Sequence, residues 1–156
     1  MNLTPTLQGG IRLDMESTLD WARLEMIVID AVNNDEDLAL TLGSRMVMEE
    51  DWKDYVLPDL QHSFNEQLSY VNQEIKKARS GENKEGEIHI TTENVDLWYG
   101  ALNQARIALE ALHQVSNYDS SDPEVVSLLS DEVRSSILKY HFYTLLQSHL
   151  LEHVMT

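Results

Sequence analysis

The chain switches from one hydrophobic period to another, and it does so twice. In residues 9–32, "GGIRLDMESTLDWARLEMIVIDAV", Ile11, Leu13 and Met15 alternate with Arg12 and Asp14, after which Trp21, Leu24, Val28 and Ala31 follow three- and four-residue steps. Alternation at period two marks a strand with one buried face, and the longer steps mark one face of a helix. Ser17 and Asp20 between them have the form of a capping box. Residues 86–110, "GEIHITTENVDLWYGALNQARIALE", repeat the switch. Ile88 and Ile90 alternate with Glu87 and His89, Thr91 or Thr92 is placed to cap, and Leu97, Ala101, Leu102, Ala105, Ala108, Leu109 and Leu112 share one side of a helix. The two units lie 88 − 11 = 77 residues apart, with identities at Gly9 and Gly86, Ile11 and Ile88, Glu16 and Glu93, Trp21 and Trp98, and Ala31 and Ala108. A short isolated strand leaves its backbone groups unpaired, so the two strands are expected to pair with each other, parallel or antiparallel. Their pairing would clamp the two helix starts, with Trp21 and Trp98 as structural residues near the clamp.

Elsewhere the pattern is helical. Residues 1–9 are polar, contain Pro5, and read as a flexible arm. Asn34 can cap a short helix carrying Leu38 and Leu42 that Gly43 ends, and residues 45–57 resume as helix until Pro58. From there Leu60, Phe64, Leu68, Val71, Ile75 and Ala78 form one continuous stripe. "ARSGENKEGE" and "SNYDSSDPE" read as loops, and Asp122 before Pro123 places a capping residue ahead of a proline suited to the first helical position. Helices near 123–129 and 131–154 close the chain. The expected fold is mainly α: a single helical domain over residues 1–156, a bundle of five or six helices with a small two-stranded sheet.

Charge narrows the class of partner. The chain has 27 acidic and 11 basic side chains among 156 residues, a formal net charge of −16, and that field repels phosphate backbones and anionic headgroups. Nucleic acid and membranes are therefore not expected partners. The absence of cysteine excludes disulfides, thiolate catalysis and cysteine-ligated zinc. No stretch approaches the ~20 apolar residues of a membrane span and no leader pattern opens the chain, so the expected location is cytoplasmic. Asp35, Glu36 and Asp37, then Glu49, Glu50, Asp51 and Asp54, then residues 119–132 concentrate the acids, while Lys76, Lys77, Arg79 and Lys84 form a basic group. Solvated surface explains such clusters in general; the sharper expectation is an acidic face, centred on the first two groups, that docks a basic segment of a protein partner.

Catalytic motifs are lacking: there is no phosphate loop, nucleophile elbow or calcium loop, no catalytic or cofactor-binding residue is assigned, and an enzyme is not expected. Glu110 with His113, and Asp59 with His62, have the spacing of bundle metal sites, but each pair falls on a polar face, where Arg106 and Glu110 suit a four-residue ion pair. His149 and His153 are four apart and, at ~100° per residue, fall among Leu138, Phe142, Leu145 and Leu146, which predicts that they point inward. Glu152 is placed on a different face, so a hydrogen-bonded pair, buried or at the rim, is the first reading and a metal-binding helical protein the alternative. Val133, Ile137, Tyr140, Tyr143, Leu150, Leu151 and Val154 cover much of the other side. A helix apolar nearly all round is central in its bundle or covered by another chain, and a homodimer fits.

"WYGALNQARIAL", residues 98–109, resembles a pattern of tryptophan, two residues, "ALN", two residues, arginine and an aliphatic run. That pattern belongs to an uncharacterised bacterial family, domain of unknown function 2017, of actinobacterial type. "DLALTLGSRMVMEEDW" and the leucine-rich "YTLLQSHLLEHV" are similar to two further segments of the family, so the resemblance spans nearly the whole chain. It implies structural roles for Trp98, Asn103 and Arg106. The chain departs from it at Gly100, where a basic residue is usual, and at Gln104, where an acidic one is usual. Such genes often lie near the one for the Clp protease adaptor, which points toward protein turnover. The functional expectation is a non-enzymatic interaction or regulatory protein with an acidic docking surface.

Overall fold

Ile11, Leu13 and Met15 are almost completely buried while Arg12 and Asp14 between them are not, as the alternation requires of a strand covered on one face. The computed structural model describes residues 1–33, 55–80 and 85–155. Within them, β1 (Asn2–Pro5), β2 (Ile11–Met15) and β3 (Gly86–Ile90) form an antiparallel sheet in the order β1-β2-β3. Ile11 stands opposite Ile90 and Leu13 opposite Ile88. The two strands expected to pair do so. Because they run in opposite directions, the chain leaves the sheet for its two following helices at opposite ends.

The sheet has a third strand where a flexible arm was expected. Asn2 pairs with Asp14 and Leu3 with Leu13, and the return is a tight turn: the Thr6 N–H donates to the Gly10 carbonyl at 2.8 Å, and the Gly10 N–H donates to Thr6 Oγ1 at 3.0 Å. Gly9 takes φ +85° there, a conformation open to glycine. As a mostly exposed edge strand, β1 buries too little to need a hydrophobic alternation, so periodicity alone passes over it.

Five α-helices follow among the described residues: α1 (Thr18–Val32), α2 (Leu57–Ala78), α3 (Val95–His113), α4 (Pro123–Leu128) and α5 (Asp131–His153). The Ser17 hydroxyl accepts the Asp20 N–H at 3.3 Å, and the Asp20 carboxylate reaches back to the Glu16 N–H at 2.9 Å and the Met1 ammonium at 2.9 Å. Burial pushes the Asp20 carboxyl up, but these hydrogen bonds and the ammonium charge outweigh it and hold it below the usual carboxylate range. Asp122 caps α4 ahead of Pro123, and Ser130 caps α5. The start of α3 differs from expectation in that neither Thr91 nor Thr92 caps it. Asn94 is the cap residue, and its carboxamide turns back to accept the Thr91 N–H at 2.7 Å and to donate to the Tyr70 hydroxyl at 2.8 Å.

Trp21 and Trp98 are both fully buried in the core between the sheet and α1, α2, α3 and α5. α2 crosses α3 closely at Gly100, where a Cβ would stand 2.3 Å from the Gln67 carboxamide carbon. Gln104, one turn on and 5% exposed, donates to Gln67 Oε1 at 2.8 Å and to the Phe64 carbonyl at 3.1 Å. The two departures from the resembled pattern thus meet a single residue of α2. The helices expected between residues 34 and 54, with Asp35, Glu36, Asp37, Glu49, Glu50, Asp51 and Asp54, lie outside the described residues. No described helix is long and apolar enough to cross a membrane.

Candidate metal centre

The last helix decides where chemistry is available. α5 buries Ile137, Tyr143, Leu146 and Leu150 with Ser136 and Gln147, and Val154 just past its end, whereas Leu138 is 70% and Leu145 57% exposed. Of the four residues expected beside the histidines on the inward face, Leu146 is buried and Phe142 half-buried, whereas Leu138 and Leu145 face out and the histidines themselves are only partly covered. With apolar residues on most of the circumference, the direction of greatest hydrophobicity is weak, and the packing of Tyr143 and Leu150 against the core decides the orientation.

His149 and His153 consequently lie at a partly exposed edge, with ring centroids 5.9 Å apart and planes 14° from parallel. Glu152, expected on another face, joins them. Its Oε2 is 3.7 Å from His153 Nε2, and one ligand atom from each of the three residues lies within 4.8 Å of the others. Three-, four- and one-residue spacings on one helix bring this about, because a glutamate side chain is long enough to swing over the adjacent imidazole. Two imidazoles and a carboxylate suit Zn²⁺ and the neighbouring late transition metals, and on one side of a helix they leave at least one tetrahedral position open. Among the described residues, no other trio of histidines and acids gathers in this way.

The other spacings do not converge. Asp59 and His62 are exposed on α2. Glu110 does not pair with Arg106; it accepts the Ser116 N–H at 3.0 Å and bonds the Ser116 hydroxyl, closing the turn after α3. Arg106 instead crosses to α5, where it bonds Gln147 and donates to the Tyr140 hydroxyl at 3.1 Å. Asn103 is exposed.

Sequence reasoning passed over the buried polar residues Asp30, Ser136 and Gln147, of which Asp30 carries a charge. Asp30, 3% exposed on α1, accepts from Lys139 Nζ at 2.7 Å and from the Tyr143 hydroxyl at 2.5 Å. Burial first, and then the Asp30 carboxylate, push the Tyr143 phenol far above its ordinary value, so it serves as a hydrogen-bond donor and not as an acid near neutrality. A cleft of about 140 Å³ opens beside this cluster, lined in part by His113, Glu132 and Lys139. With both Asp30 oxygens engaged, the cluster ties α1 to α5. An acid adjoining the α1 stripe, three residues after Ile27, is the signal that would have identified it.

No curated protein and no solved structure matches the chain. The family comparison does: residues 16–154, nearly the entire length, match the family described as Domain of unknown function (DUF2017), and the chain belongs to that family.

Proposed function

We propose that the chain is a helical metal-binding protein whose site is formed by His149, Glu152 and His153. The supporting observation is the approach of three ligand atoms to within 4.8 Å of one another at an accessible edge of α5. The imidazoles supply neutral nitrogen donors, and the carboxylate offsets part of the charge of a divalent ion. The test is competition for Zn²⁺ against a chromophoric chelator, using protein purified without a histidine tag. Zinc should be retained by the wild type, and His149→Ala should bind at least tenfold more weakly. Failure of the wild type to compete at all would reject the site.

A second reading follows from the net charge of −16: docking of a basic protein segment on an acidic face that includes Asp35, Glu36 and Asp37. The gene neighbourhood implied by the family resemblance, in its actinobacterial members, makes components of regulated proteolysis the partner class for this reading. It requires a partner whose capture weakens with salt and is lost when those three acids are replaced by their amides.

A further inference from the structure

We infer that the metal site is completed by a second copy of this chain, so that one Zn²⁺ bridges two α5 helices; the inference rests on the metal reading above and specifies its partner. It starts from the exposed face of α5. Leu138, Phe142, Leu145, His149 and Glu152 recur at steps of four, three, four and three residues, the repeat that forms the seam of two helices wound around each other. Leu138 and Leu145 are 70% and 57% exposed, Phe142 between them packs one side on the core and leaves the other at the surface, and the histidines continue the same edge. Single exposed leucines are common on protein surfaces, but two on one line that ends at an incomplete ligand set are a different case.

Symmetry determines the chemistry. A metal on a two-fold axis takes the same ligands from both copies, so His149 and His153 from each give the four donors of a tetrahedral Zn²⁺ site. In the bridged site Glu152, 3.7 Å from His153 Nε2, gives up the ligand position it has in a single chain to the partner copy's imidazoles and orients its own His153 instead. This requires the helices to lie parallel, with Leu138, Phe142 and Leu145 each facing their counterparts. An antiparallel pairing that sets Phe142 against Leu145 puts His149 opposite Leu138 and separates the two histidine pairs.

Metal and seam depend on each other. Three apolar side chains per copy cover a few hundred Å², well below the ~800 Å² per partner of a stable interface. Two chains of charge −16 also repel. The seam alone is therefore too weak to hold the pair, and the dication held by neutral imidazoles supplies what is missing.

The experiment is sedimentation velocity on the tag-free full chain with EDTA and with ZnCl₂ titrated through half and one equivalent, beside the chelator competition. The expected result is a monomer in EDTA and a dimer that saturates at half an equivalent of zinc. His149→Ala should remain monomeric. Leu138→Glu, eleven residues from His149, should remain monomeric and bind zinc about tenfold more weakly, with an unchanged circular dichroism spectrum. Zinc bound at one equivalent by a wild type that stays monomeric overturns the bridge and leaves the single-chain site standing. No zinc binding overturns both. A dimer that persists in EDTA overturns the metal dependence.

Discussion

At the scale of single residues, Asp30 best illustrates how one side chain joins distant parts of the chain. Its carboxylate is buried, and both oxygens are taken by α5, one by Lys139 and one by Tyr143, 109 and 113 residues away. Burying a charge is tolerated when it is paired and hydrogen-bonded, and removing one partner costs more than the contact itself contributed, because the remaining group is stranded. Tyr143→Phe should therefore lower unfolding stability by about 1–3 kcal/mol at neutral pH in urea denaturation. The pH dependence has a definite sign. A tyrosine whose folded value is raised binds its proton more tightly when folded, so its stabilising effect is complete below about pH 10 and declines as pH rises further. The gap between wild type and Tyr143→Phe should accordingly narrow above about pH 10; a gap that stays constant would show that the phenol is not buried against Asp30 as described.

At the scale of elements, the β3 strand is fixed by how closely its first residue approaches Trp21. A Cβ on Gly86 would lie 2.7 Å from Trp21 Cζ2 and 3.1 Å from the Ala78 carbonyl oxygen. Trp21 is completely buried and has no room to retreat, so Gly86→Ala should cost about 1–3 kcal/mol, read as a lower urea midpoint. An unchanged midpoint would mean that β3 does not pack on Trp21 as described. The contact also indicates how far the sequence can be read. The β2–α1 and β3–α3 units are visible because each buries a face whose period is imposed by the backbone, and the long α2 stripe is visible for the same reason. The β1 edge strand is not, since it owes its place to backbone pairing and a glycine turn. The orientation of α5 was misread because its hydrophobicity has almost no direction. His149 and His153 were recognisable as a pair from their spacing, yet the recruitment of Glu152 depends on side-chain reach, which periodicity does not encode.

At the scale of the whole molecule, the balance of charge sets how stability responds to salt. Even if every lysine and arginine were paired with an acid, 27 − 11 = 16 carboxylates would remain without a basic counterpart. Exposed pairs such as Lys77 with Glu74 and Arg12 with Asp14 contribute about 0–1 kcal/mol each and weaken with salt, while the buried Lys139–Asp30 pair is screened less. The surplus of repulsion must dominate. Raising NaCl from about 0.01 to 0.15 M shortens the screening length from about 30 to 8 Å, so it should stabilise the fold. Each kcal/mol gained corresponds to a rise of about 2–4 °C in Tm at this chain length. The measurement is a thermal melt across that range in EDTA, which removes any bound metal from the comparison. A rise in Tm identifies self-repulsion as the leading long-range term and agrees with chains that stay apart until a dication joins them. A fall would mean that specific ion pairs outweigh sixteen excess charges, and charge repulsion would then not be what keeps two chains apart without a metal.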